Sequence, residues 1–193
     1  MENNKKNTVK ITNLFRQYRY RLRILLIIVF ILLILSVFIN IWAVIFIIIF
    51  SVLNAILISI DRYVNITHDL ELSTFSAVMM SVTYGLGWGM AAAFFTKFTE
   101  VMYNKNLEFD DLLAMISFMI AAVLGYILKD MNIIMVGIVT TCIINIYNFV
   151  STSMVGYYTK YEIIFQVITN ILLNIMLFMS FAPWLLKILV LLR

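Results

Sequence analysis

Residues Ile24 to Ile60 carry no charge over 37 consecutive positions. As a single helix this run would extend ~55 Å, against a hydrocarbon core of ~30 Å. Two shorter helices are more economical, with Ser36, Asn40 and Trp42 at the only turn candidate. No Gly or Pro marks that turn, so one tilted or bent helix is the other reading. Further apolar runs follow as far as the C-terminal residues. With 64% hydrophobic and 12% charged residues, against ~25% charged in soluble domains, the bilayer has to act as solvent. The expected fold class is all-α, a polytopic membrane helix bundle of six to seven transmembrane helices.

The chain before this run is polar and basic. Residues 1–23 hold Lys5, Lys6, Lys10, Arg16, Arg19, Arg21 and Arg23 against Glu2 alone. Basic flanks stay cytoplasmic, which places the N-terminus inside a multi-pass cell-membrane protein. A run of this kind also suits nucleic acid, but its position against a membrane segment favours a topology signal and no nucleic-acid partner. No small-residue cleavage site follows, so the segment is read as an uncleaved anchor. Residues 24–193 form one transmembrane domain, with helices expected at about 24–39, 41–60, 71–84, 88–103, 111–128, 131–150 and 162–190.

The first polar loop, Asp61 to Glu71, contains a glycosylation acceptor pattern at Asn65-Ile66-Thr67, read as a chance occurrence. Asp69 and Glu71 stand just before the third helix, where carboxylates suit the positive end of a helix dipole. That helix and the next are joined at Gly85-Leu86-Gly87-Trp88-Gly89. Gly85, Gly89 and Ala93 are the expected close-packing positions, because small residues let membrane helices approach. Lys97 lies ~15 Å along the second helix of this hairpin, close to mid-bilayer. A charge there faces a cavity or a partner, and Glu100 at i+3 is within reach. A functional cavity pair and a structural ion pair are equal readings. Asp110 and Asp111 open the following helix, again at its positive end.

Two later spans carry amides. Thr141, Asn145 and Asn148 share a face of one, and Gln166, Asn170 and Asn174 share a face of the next. Both stripes should face inward, either bonding each other or lining a polar cavity. Pro183-Trp184 is expected to break or kink the last span.

Charge sidedness conflicts with length. Six crossings place the acidic loops outside and Lys129, Lys187 and Arg193 inside, as the basic-inside rule prefers. Seven crossings reverse the later loops.

Chemistry has few candidates. One cysteine, Cys142, and one histidine, His68, argue against disulfides, thiolate or imidazole metal sites and histidine-dependent triads, and no cofactor is implied. No paired carboxylates or nucleophile–base arrangement points to an enzyme. No phosphate-binding Gly-rich loop is present, so any ATP chemistry would belong to a partner.

From Leu70 onward the chain resembles the integral-membrane substrate-binding (S) subunits of energy-coupling-factor vitamin transporters. It is also similar to the related rod-shape membrane protein D type. The features carrying this are Tyr84-Gly85-Leu86-Gly87 with a small-residue helix from Gly89 to Ala93, and Lys97 beyond it. A short turn at Lys129, the Asn-bearing Ile144 to Asn148, and a last Asn-bearing span ending in Ala182-Pro183 complete the pattern. The family's Gly-Pro at the central turn is replaced here by Gly85-Leu86-Gly87, and its alanine-rich coupling motif is absent from Ile24 to Ile60. The resemblance implies a small-molecule site with Lys97, Asn145, Asn148, Asn170 and Asn174 as matching candidates, Glu100 beside Lys97, and a separate ATPase partner. The alternative is a non-catalytic membrane scaffold of a cell-envelope or cell-shape assembly.

Overall fold

The computed structural model describes residues 40–64, 70–104, 109–156 and 158–193. The basic segment 1–23, the expected helix 24–39, the Asn65 acceptor pattern and Asp69 lie outside these residues. Among the described residues the chain is all-helical, with seven helices and no strand. They are α1 (Ile41–Val64), α2 (Ser73–Tyr84), α3 (Leu86–Asn104), α4 (Phe109–Ile127), α5 (Ile133–Val155), α6 (Lys160–Ser180) and α7 (Ala182–Leu191). Residues 42–193 form one compact unit.

Four helices, α1, α4, α5 and α6, are long and apolar enough to cross a membrane. Their Ile- and Val-rich sequences are poor helix formers in water, but in lipid only a helix satisfies every backbone group within the segment. Large apolar side chains stand on the outside. Ile48, Ile49, Val52 and Ile56 on α1, Phe94, Phe95 and Phe98 on α3, and Ile146, Leu172 and Met176 on α5 and α6 are exposed. In water such a surface would drive aggregation; against acyl chains it is the ordinary exterior of a membrane bundle.

The bundle is arranged around its shortest interior helix. α2 has 12 residues, about 18 Å of helix. It packs against α3, α4, α5, α6 and α7, and Ala77, Val78, Met79 and Met80 are fully enclosed. Two glycines allow this. A Cβ on Gly89 of α3 would stand 2.5 Å from Ser81 Cβ and 2.9 Å from the Ala77 carbonyl oxygen. A Cβ on Gly125 of α4 would stand 3.1 Å from Val78 Cα. Ala93, one turn beyond Gly89, is also fully buried. The Ser81 hydroxyl donates to the Ala122 carbonyl at 2.5 Å, joining α2 to α4.

The hairpin turn is tighter than the five residues the sequence suggested. Gly85 alone separates α2 from α3, at φ 101°, a conformation that L side chains rarely adopt. Gly87 and Gly89 are already inside α3. Later in the chain, Asn132 accepts the Ile134 N–H at 2.9 Å and starts α5, while Gly156 closes that helix in the left-handed region. Thr159 and Glu162 form a reciprocal capping box at the start of α6.

The final span is two helices where the sequence suggested one over 162–190. The break falls at Phe181, between Ser180 and Ala182. Pro183 sits in the first turn of α7, where its missing N–H leaves no bond unmade. The Tyr84 hydroxyl donates to the Leu189 carbonyl at 3.2 Å, tying the end of α2 to α7.

Candidate functional site: a buried charged cluster and an amide ladder

Lys97 is only 7% exposed. Its ammonium is 2.7 Å from Glu100 Oε1, 3.1 Å from Asp111 Oδ1 and 3.9 Å from Glu71 Oε2. The pairing with Glu100 follows from helical spacing. The other two carboxylates come from elsewhere: Glu71 from the residues entering α2, and Asp111 from the first turn of α4. One lysine therefore draws together three segments of chain. An ammonium in a low-dielectric interior is tolerated only with such partners.

A second polar residue from α1 completes this centre. Asn54 is fully buried. Its Nδ2 donates to Glu100 Oε2 at 3.2 Å and to Ser73 Oγ at 3.4 Å. Its Oδ1 accepts the Leu72 N–H at 2.6 Å. The Ser73 hydroxyl in turn donates to Glu71 Oε1 at 2.6 Å. The start of α2 carries no side-chain cap of its own. Asn54 supplies an acceptor from another helix instead. Asp69 and Glu71 were the expected caps; Glu71 is engaged by Ser73 and Lys97.

The depth of this arrangement matters. Asn54 lies five residues before Ser59, where the apolar span of α1 ends, or ~7.5 Å. The start of α2 is therefore inside the bundle, near the first turn of α4, whose Asp111 joins the same cluster. Glu71, Ser73 and Thr74 are all buried there. α2 is a short helix that begins buried in the bundle, with its positive end beside buried carboxylates.

The amides gather on α5 and α6. Asn145 Nδ2 donates to Asn170 Oδ1 at 3.0 Å and to its own helix at the Thr141 carbonyl, 2.9 Å. Asn174 Nδ2 donates to Asn170 Oδ1 at 3.0 Å and to the Asn170 carbonyl at 3.1 Å. All three side chains are buried. Asn148 stands one turn further along α5, is half-buried, and its Oδ1 has no hydrogen-bond partner among the described residues. The candidate residues thus fall into two groups: Lys97 with Glu100, and Asn145 with Asn170 and Asn174.

Among the described residues, no three His, Cys, Asp or Glu side chains are placed to hold a metal ion. Cys142 is exposed on α5.

Family models, curated proteins and solved structures give no match to this chain. The chemistry of these two groups is what bears on function.

Asn54 had a sequence signal, as an amide inside the long charge-free run, but nothing in its spacing names a partner. Glu71 and Asp111 were visible as helix-start carboxylates. Their convergence on Lys97 depends on how α2, α3 and α4 pack.

Proposed function

We propose that this protein is a small-molecule-binding membrane subunit of a transporter, dependent on a separate ATPase module, as its resemblance to energy-coupling-factor S subunits implies. The observation that carries this reading is the short helix α2, whose start is buried inside the bundle beside Glu71, Lys97 and Glu100. Broken helices with buried ends are a recurring device of transporters, where the positive end meets substrate or ion groups. Ionisable residues buried within a membrane bundle mark pathways and binding centres. The buried amides of α5 and α6 add neutral polar groups suited to orienting a metabolite. The protein resides in the cell membrane with its basic N-terminus in the cytoplasm, and it performs no chemistry of its own.

A second reading, a scaffold within a cell-envelope assembly, is favoured by one specific feature. Lys97 is closely surrounded by its own chain's carboxylates, as a structural centre would be.

Mass spectrometry on protein purified gently from its native membrane separates the two. A stoichiometric metabolite with ATPase subunits alongside supports the transporter subunit. No metabolite, with cell-envelope proteins in fixed ratio, contradicts it and leaves the scaffold.

A further inference from the structure

α5 and α6 run antiparallel, and two contacts set their register. Gly137 lies directly against the ring of Phe178, and Asn145 bonds Asn170. Midway between these pairs, one turn from each, Thr141 stands opposite Asn174. Both residues are fully buried. Thr141 Oγ1 and Asn174 Oδ1 nonetheless lack a hydrogen-bond partner among the described residues.

Each has a local reason to be otherwise. Buried hydroxyls on neighbouring helices fold back on their own backbone: Thr83 donates to the Met79 carbonyl at 2.8 Å and Thr96 to the Ala92 carbonyl at 2.7 Å. Thr141 has the equivalent carbonyl on Gly137 and does not use it. The Nδ2 of Asn174 is engaged twice by Asn170, which turns its oxygen away from that residue. The result is a hydroxyl with a proton to donate and an amide oxygen able only to accept. Buried polar atoms in folded proteins are nearly always hydrogen-bonded, to protein or to an ordered water.

We propose that Thr141 and Asn174 form a seat for one bound O–H group between α5 and α6. Such a group accepts from the threonine hydroxyl and donates to the asparagine oxygen, satisfying both at once. A carbonyl would leave Asn174 without a donor, and an ammonium would leave the threonine proton without an acceptor. The O–H comes either from an internal water or from the hydroxyl of a small polar ligand. The seat stands apart from the transport reading, since a water can occupy it in any membrane bundle.

A high-resolution crystal structure of the full chain, grown from a lipid mesophase, tests this. The expected result is density within ~3.2 Å of both oxygens. An isolated peak identifies water; a peak continuous with a larger feature identifies a ligand hydroxyl. Absence of a peak, with the Thr141 hydroxyl turned onto the Gly137 carbonyl or bonded directly to Asn174, overturns the proposal. Thr141→Val should abolish the peak, and Thr141→Ser, which keeps the hydroxyl, should retain it. A peak that persists unchanged in Thr141→Val also overturns the proposal. In thermal unfolding, Thr141→Val and Asn174→Leu should each lower Tm, and the double variant should lose less than the sum. Strictly additive shifts contradict a shared guest.

Discussion

Asn54 Oδ1 accepts the backbone N–H of Leu72 at 2.6 Å, so α1 caps the buried start of α2 across the helix interface. The same side chain donates to Glu100. An amide has both polarities on one group, which is why Asn suits this position. Replacing it with Leu leaves a buried N–H and a carboxylate oxygen each short of a partner. An unsatisfied buried group costs roughly 1–3 kcal/mol. Asn54→Leu is therefore expected to lower unfolding stability in mild detergent by about that amount. Unchanged stability would show that α2 is capped in some other way.

Lys97 holds Glu71, Glu100 and Asp111 in one centre. Lys97→Met removes the cation and leaves the carboxylates facing one another. Breaking a buried pair from one side costs roughly 3–5 kcal/mol. The variant should show reduced yield of folded protein. Adding Glu100→Gln, which removes one carboxylate charge but keeps its shape, should recover part of the loss. Equal yields for single and double variants would mean that charge balance is not what the centre provides.

The two glycines of α3 should behave in opposite ways. A methyl group on Gly89 meets Ser81 and the Ala77 carbonyl, whereas on Gly87 it meets nothing within 4 Å. Gly89→Ala should destabilise by ~1–3 kcal/mol through overpacking. Gly87→Ala should be neutral or stabilising, because alanine favours a helix over glycine by up to ~1 kcal/mol. Unfolding midpoints of the two variants side by side check this, and similar values would contradict the close approach of α2 and α3.

On α5, Gly137 packs against the face of Phe178, which itself touches Phe75 with ring centroids 5.0 Å apart. Gly137→Ala should be strongly destabilising alone. It should be partly rescued by Phe178→Leu, which frees space at the same point. The double-mutant cycle is expected to show coupling of roughly 0.5–3 kcal/mol; additivity would place the two residues apart.

The helical class and the sites of the long helices were legible in hydropathy, since lipid leaves the chain no alternative to helix. The amide grouping of Asn145, Asn170 and Asn174 was legible from spacing, because residues three and four apart share a helix face. What was not legible depends on packing between distant segments. Glu71 and Asp111 looked like partners of their own helix dipoles, and nothing local in Leu70 to Ser73 announces an acceptor on α1. A break near Pro183 was expected, but not its place at Phe181. Proline announces a boundary near itself, but as a first-turn residue it belongs to the following helix, so the interruption lies before it.

The account rests most on α2 beginning inside the helix bundle. Cysteine accessibility measures this directly. In a Cys142→Ser background, single cysteines at Thr74 on α2 and at Lys160 at the exposed start of α6 would be challenged in native membranes with a bulky, membrane-impermeant maleimide. The expected result is rapid labelling at position 160 and none at position 74 until the protein is unfolded. Equal labelling at the two positions would put the start of α2 in open water and contradict the buried helix start on which the transporter reading depends.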